Sequence, residues 1–440
     1  MNIVYLHCHD GGRYIEPYGW PVRTPNLMRF AREGVLFRKA FCAAPTCGPS
    51  RAALMTGQYP HECGMFGLPG GDGWKLNDIT HHLVHELNEA GYLTALAGVQ
   101  HEVSHRNPNL YPLPYQRFLD TRAQKGEHYP ETLDRVEEFL SEARDRPFFL
   151  SIGLDEPHRN NIARPEIGIG DESARFSKTR YYDPDRLDWR YTAPLPWLPD
   201  LPEIRKDVES LHEGVRILDE YMGRVLYLLR QRGLDGDTLV IVTTDLGIEF
   251  PGGKKTLREP GTGVFLMVRG PGGFEGGRVI EALVSHLDIY PTLMDLLGRP
   301  KPARLRGKSL LPLVRGETDR LHDAIFTEQN YHGPLEAIRA VRTERYKLVR
   351  RHDPIGPRMR QDGPSCAVME PFGYYDRPLG REQLYDLYLD PMEACNRADD
   401  PALAEVRADL GRRLDDWMRD TNDAFPTGQF PPMPRTLKSP

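Results

Sequence analysis

The sequence predicts an α/β fold: a large mixed, mostly parallel sheet sandwiched by helices, followed by a smaller C-terminal antiparallel sheet plus helix. Three observations predict it. Short β-branched apolar runs alternate with helical patterns up to about residue 298, which is how parallel strands joined by crossover helices read. Each run ends abruptly in polar, chemistry-bearing residues, as strands of such sheets do at their carboxyl ends. Past residue 330 the texture changes to two-residue alternation, which suits antiparallel pairing. We place an α/β catalytic domain at 1–335 and a C-terminal subdomain with a Pro-rich tail at 336–440.

The elements follow in order. Ile3–Leu6 is a short, partly β-branched run that stops at Asp10-Gly11-Gly12, a buried strand feeding a polar loop. Thr24-Pro25 opens a helix with proline at its first position, Leu27, Phe30 and Ala31 on one face and Gly34 as its stop. Ala52–Thr56 reads as helix before Gly57, residues 79–90 as an amphipathic helix ending at Gly91, and Leu93–Ala97 as a second strand. Phe148–Leu154 is a third strand, ending in Asp155-Glu156-Pro157-His158. Residues 160–202, rich in Pro, Asp, Arg and Tyr, form an irregular excursion that shapes access to a site. A long helix over 203–232 carries Val208, Leu211, Val215, Leu218, Met222 and Val225 at helical spacing, and Leu239–Thr243 is a buried strand leading straight to Asp245. Beyond 330, Ala337–Arg342 and Tyr346–Arg350 pair as antiparallel strands and 353–380 is a Pro/Gly-rich loop. Gln383–Leu389 is strand-like, and 401–419 is an amphipathic helix.

Composition narrows the function classes. Hydrophobic content of 39% and charged content of 27% describe a globular chain able to bury a core. A net charge of -6 argues against nucleic-acid binding, which rests on neutralising phosphates. No apolar run approaches the roughly 18 residues of a membrane span. The start turns polar at His7, His9 and Asp10, so no secretory leader is predicted, and the six cysteines form no CxxC pair. The expectation is a cytoplasmic protein with no nucleic-acid or membrane partner, its oligomeric state open, a homo-oligomer included.

Asp10, the 98–102 segment, His158 and Asp245 each sit just past a predicted strand. Carboxylates there suit a hard divalent cation, although a strand-ending Asp also caps turns. His7 and His9 alternate along the first strand, open between structural and ligand roles, and imidazole is the softer donor. The Lys254-Lys255 dipeptide is either a solvated pair or an anion contact. Cys47, before a helix, is on its own an inert buried thiol.

The run Cys47-Gly48-Pro49-Ser50-Arg51-Ala52-Ala53-Leu54-Met55-Thr56-Gly57 changes that last reading. It resembles the sulfatase signature C-x-P-S-R-x-x-x-L/M-T-G at every defining position. The resemblance implies an alkaline-phosphatase-like fold and hydrolysis of a sulfate ester or sulfamate, for instance of a sulfated sugar. It also implies that a maturation enzyme oxidises Cys47 to formylglycine. A thiol is a poor partner for attack on a sulfate beside a hard cation. An aldehyde hydrate has one hydroxyl to attack and a second to expel the sulfate later. Arg51, four residues on, can hydrogen-bond that diol.

The same resemblance implies one divalent metal ion, calcium first with magnesium or manganese as alternatives, held by Asp10, Asp245, Cys47 and, by position, His9. His101 falls where the family has a base near the nucleophile, and His158 where its Pro-His histidine faces the leaving group. Lys254 falls at a downstream basic residue that binds sulfate or protonates the leaving group. Three positions depart from the pattern: His9 stands where Asp is common, Val99 where Lys is, and Leu246 where Asn or His follows the metal-binding Asp. They imply an altered metal site. Segments Thr24–Gly34, Ser285–Leu293 and Leu384–Glu393 also resemble the family, so the likeness runs from about residue 2 to 420. Gly64–Leu68, Pro157-His158-Arg159 and Gly247–Pro251 are similar to the heparan N-sulfatase branch. Two alternatives stay open: a phosphonate monoester or phosphodiester hydrolase on the same fold, and a catalytically weakened homologue that binds.

Overall fold

The computed structural model describes residues 1–69, 73–103, 113–120, 129–143, 146–159, 188–354 and 359–434. Nine strands form the large sheet: β1 (Asn2–Cys8), β2 (Val35–Phe41), β3 (Leu93–Gly98), β4 (Arg117–Asp120), β5 (Phe148–Gly153), β6 (Thr238–Thr244), β7 (Gly263–Val264), β8 (Leu266–Arg269) and β9 (Arg278–Ser285). Their order is β4-β3-β5-β1-β6-β8-β2-β7, with β9 also on β2. The half from β4 to β6 is parallel throughout, and β8 enters antiparallel between β6 and β2. The mixed, mostly parallel sheet is the predicted one.

Alternation along the strands sorts their side chains onto two faces. Val4, Leu6, Leu150, Ile152, Val240 and Val242 pack with the Pro202–Gln231 helix on one side. Ile3, Tyr5, Phe149, Leu239 and Ile241 pack with the Leu83–Glu89 and Ile289–Leu296 helices on the other. Register then places the strand ends at one level. His7 lies opposite Gly153 of β5 and Thr243 of β6, and Gly153 lies opposite Gly98 of β3. Whatever follows β1, β3, β5 and β6 is therefore brought together.

Two helices differ from their predicted extents. The helix predicted from Ala52 begins at Cys47, because Pro49 sits in the first turn, where backbone N–H groups have no partner in the helix and none is missed. The predicted 79–90 helix is a 3₁₀ turn over Ile79–His81 and an α-helix over Leu83–Glu89. They are broken at His82, whose ring accepts the Val84 N–H and also meets Glu102 at 2.8 Å. Most of the predicted 160–202 excursion lies outside the described residues. The loop after 353 carries a short helix, Pro364–Met369.

The second sheet is antiparallel, β10 (Ile325–Tyr331), β11 (Leu335–Arg342), β12 (Tyr346–Arg351) and β13 (Glu382–Asp386), in that order. β10 ends before residue 335, β11 begins on it and the other two strands follow. One face, with Val341, Leu348 and Leu384, packs the Ala404–Asp420 helix through Leu410, Leu414 and Trp417. The other, with Ile338, Ala340 and Val349, meets Leu257 from the large sheet's loops. Among the described residues no helix is long and apolar enough to cross a membrane.

Candidate active site

The Cys47–Thr56 helix is buried along its whole length, with Thr46 extended ahead of it and Gly57 left-handed behind it. Cys47 is its first residue, so the unpaired N–H groups and positive dipole end of the helix surround the thiol and favour an anion there. One turn on, two side chains fasten the helix to the end of β6. Ser50 Oγ donates to the Asp245 carbonyl at 2.6 Å. Arg51 puts Nε and Nη2 at 3.2 and 3.0 Å from Asp245 Oδ2, Nη1 at 2.7 Å from His7 Nδ1, and Nη2 on the Cys8 carbonyl at 3.2 Å. Gly48 permits the close approach of the next loop, since a Cβ there would stand 2.7 Å from Pro69 Cδ and 3.2 Å from the His101 carbonyl.

Asp245 has both oxygens engaged. Oδ1 accepts the Asp10 N–H at 2.9 Å. Oδ2 holds Arg51 and lies 3.1 Å from His9 Nδ1. Burial works against this carboxylate, but His9 and Arg51 outweigh it and hold its pKa well below the usual range. Burial would likewise depress the His9 imidazole. Asp245, helped by Cys47 and Asp10, reverses that and holds it well above the usual histidine value. The His9 ring is edge-on to His101 at 4.4 Å and to His158 at 4.9 Å between centroids.

Lys254 closes the opposite side. Its Nζ donates to Asp10 Oδ2 at 2.7 Å and to Glu249 Oε2 at 3.2 Å, and lies 3.4 Å from His158 Nε2. Lys255 Nζ takes the other Glu249 oxygen at 3.1 Å and the Arg360 carbonyl at 2.8 Å. Both lysines are buried, which excludes the solvated pair. Burial is again the first influence on Lys254, yet Asp10, Cys47 and Glu249 raise its pKa well above the ordinary lysine value. His158 is pushed down, by burial and then by Lys254, and its side chain is 25% exposed. From the loop after β12, Gln361 donates to the Lys254 carbonyl at 2.6 Å.

The structure thus brings together Cys47, Arg51, His101, His158, Lys254, Asp10, Asp245 and His9. Asp10, His101 and Lys255 have left-handed backbone, with φ of 54°, 61° and 67°. Such positions are uncommon outside glycine and gather at functional sites. At the departing positions, Val99 and Leu246 are fully buried and supply neither charge nor ligand. Sequence reasoning gave no role to Glu249, the shared carboxylate of both lysines, or to Ser50. For Ser50 the one available signal was its place in the signature.

The donor atoms fit a metal ion. Those of His9, Asp10, Cys47 and His158 lie within 4.8 Å of one another. Asp10 Oδ1 and His9 Nε2 are buried with no hydrogen-bond partner among the described residues, which buried polar atoms rarely tolerate.

The chain is similar to known proteins along nearly its whole length. Residues 2–299 match the family model described as Sulfatase, and 253–355 match the C-terminal model of N-sulphoglucosamine sulphohydrolase. The human N-sulphoglucosamine sulphohydrolase is 31% identical over 460 residues, covering 96% of this chain and 91% of that protein. An ulvan-active sulfatase of Formosa agariphila is 24% identical, covering 96% and 75%. A protein solved in complex with its substrate D-glucosamine-2-N,6-O-disulfate superposes with a TM-score of 0.73 at 20% identity, over 98% of this chain and 99% of that one. A phosphonate monoester hydrolase from Silicibacter pomeroyi has a TM-score of 0.69 at 20% identity, over 96% and 95%.

Proposed function

We propose, for a chain that belongs to the sulfatase family, the hydrolysis of a sulfate ester or sulfamate carried by a sugar, with residue 47 acting as formylglycine. The observation that carries this reading is Cys47 itself, on the buried first turn of a helix whose next turn fastens to Asp245. Formylglycine, once formed at Cys47 by a maturation enzyme, supplies as its hydrate one hydroxyl to attack sulfur and a second to release sulfate. A divalent cation on His9 and Asp10 would supply charge stabilisation at the sulfuryl oxygens.

The remaining chemistry belongs to the chain's own side chains. The helix N-terminus and the Lys254 ammonium, whose pKa Asp10 and Glu249 hold above the ordinary lysine value, attract the sulfuryl oxygens. Arg51 holds the nucleophile's turn in place through Asp245 and His7. His158, 25% exposed and 3.4 Å from Lys254 Nζ, or Lys254 itself protonates the departing oxygen or nitrogen. His101 takes the proton from the remaining hydroxyl. A glucosamine sulfate is the favoured substrate class, because the human relative and the solved complex bear such names. All six cysteines are free, which supports a reducing, cytoplasmic setting.

Two measurements test the reading. Mass spectrometry of the Cys47 peptide from the native host should find the aldehyde. Turnover of an N-sulfated glucosamine and an aryl sulfate should exceed that of an aryl phosphonate. Unmodified Cys47 without turnover would support the binding homologue, and preference for phosphonate would support phosphoryl chemistry.

A further inference from the structure

The donors beside residue 47 are not those of a calcium site. Calcium takes six to eight oxygens and magnesium an octahedral oxygen set. Two carboxylates are at hand here. Asp245 is not among the residues whose donor atoms lie within 4.8 Å of one another, His9, Asp10, Cys47 and His158, and its oxygens take the Asp10 N–H and Arg51. Asp10 commits Oδ2 to Lys254. One carboxylate oxygen, Asp10 Oδ1, is left without a hydrogen-bond partner among the described residues. Leu246, the next side chain on that loop, is fully buried in the apolar cluster with Leu54 and Leu266 and adds no donor. Against this single oxygen stands the His9 ring, fully buried, with neither nitrogen hydrogen-bonded among the described residues. Nδ1 of that ring is 3.1 Å from Asp245 Oδ2. A carboxylate behind one nitrogen of an imidazole whose other nitrogen is free is the usual support of a metal-bound histidine.

We propose that the cation of this site is a zinc-like transition ion rather than calcium. His9 Nε2 and Asp10 Oδ1 bind it beside residue 47, and Asp245 is the carboxylate that orients His9. The softer nitrogen donor selects the later first-row ions, whose affinity for such ligands rises along the series to copper and falls back at zinc, still far from the oxygen-seeking calcium. The assignment rests on reading the cluster as a metal site. It holds whichever anion the site hydrolyses.

The experiment uses the full chain after removal of metal by chelation, with residue 47 defined by mass spectrometry. Equilibrium dialysis is run against Zn2+, Co2+ and Ca2+ separately, and the Co2+ form is followed by its visible absorption. Zn2+ should bind at least about tenfold more tightly than Ca2+. The Co2+ spectrum should carry the intensity of a nitrogen-ligated, low-coordinate ion. His9→Ala should lose Zn2+ binding, and His9→Asp should move the preference towards Ca2+. Equal or tighter Ca2+ binding by the unaltered chain overturns the proposal, and so does Zn2+ affinity that His9→Ala leaves unchanged. The comparison of ions on the unaltered chain decides the matter even where a variant fails to fold. A zinc preference without sulfate release would sink the hydrolase reading and leave this one standing.

Discussion

Glu259 joins the large sheet's loops to the C-terminal sheet, and its removal has a size that the structure sets. Its carboxylate lies 3.3 Å from Arg342 Nε of β11, 3.3 Å from Lys347 Nζ of β12 and 3.7 Å from Arg13 Nη1 of the loop after β1. Burial pushes the acid up, but these three cations pull it down to about 2 from an ordinary 4.5. That difference amounts to about 3 kcal/mol of stability at neutral pH. An independent route gives the same size, since removing one partner of a buried pair costs roughly 3–5 kcal/mol. Lys347 keeps Glu393 at 2.9 Å, which favours the lower end. The folded pKa is depressed, so the contribution is complete above the unfolded pKa and is lost as pH falls through the folded one. Glu259→Gln should therefore lower stability by about 3 kcal/mol at pH 7, and the gap to the unaltered chain should shrink to about 1 kcal/mol at pH 3. Urea unfolding followed by tryptophan fluorescence at both pH values measures it. A gap below about 1 kcal/mol at pH 7, or one that widens towards acid, refutes the reasoning.

Three further substitutions probe the site. Ser50→Ala strands the buried Asp245 carbonyl, costing about 1–3 kcal/mol. By loosening the nucleophile's helix it should also cut kcat on the order of a hundredfold with little change in KM; unfolding curves and initial rates measure both. Arg51→Lys keeps the charge but cannot reach Asp245, His7 and the Cys8 carbonyl together. Its turnover should fall on the order of a hundredfold, and activity within a few-fold of the original would mean that the guanidinium fork is dispensable. Glu249→Gln removes the carboxylate shared by Lys254 and Lys255. The added positive charge should tighten inhibition by inorganic sulfate a few-fold, while kcat drops about tenfold as Lys254 loses a fixed position; inhibition kinetics measure the first and single-turnover rates the second.

Much of the fold is legible where one physical signal dominates. β1, β5 and β6 are central parallel strands buried on both faces, so they read as unbroken apolar runs. β2 lies in the antiparallel half and carries Arg38 and Lys39 at its middle, which hides it from a hydrophobic pattern. β9 is exposed along its first half and buried along its second, so no period marks it. In the site, the strand-end rule brings Asp10, His101, His158 and Asp245 to one level, because ends of in-register parallel strands must meet. Partnerships are a different matter. Arg51 and Asp245 are 194 residues apart, and Lys254 and Asp10 are 244 apart. Glu249 follows β6 within the site, yet its hold on both lysines depends on a turn that brings Lys254 N–H back to the Ile248 carbonyl at 2.8 Å. No local spacing announces such a turn.

The charges explain why the departures from the family pattern occur together. Among the described residues, the buried carboxylates Asp10, Asp245 and Glu249 face the buried cations Arg51, Lys254 and Lys255, pair against pair. Buried charge is costly unless it is compensated. Histidine in place of aspartate at position 9 puts an imidazole, held towards its protonated form by Asp245, where a carboxylate is common, and valine in place of lysine at 99 removes a positive charge. The cation given up at 99 is thus partly offset by the one gained at 9. Leu246 then costs nothing, because the oxygen or nitrogen donor absent there belongs to an oxygen-rich cation shell that His9 has already abandoned. The substitutions therefore form a consistent set, a site rebuilt around imidazole. Ser50 and Arg51 still fasten the Cys47 helix to Asp245, so the part of the site that positions residue 47 is complete beside the altered ligands.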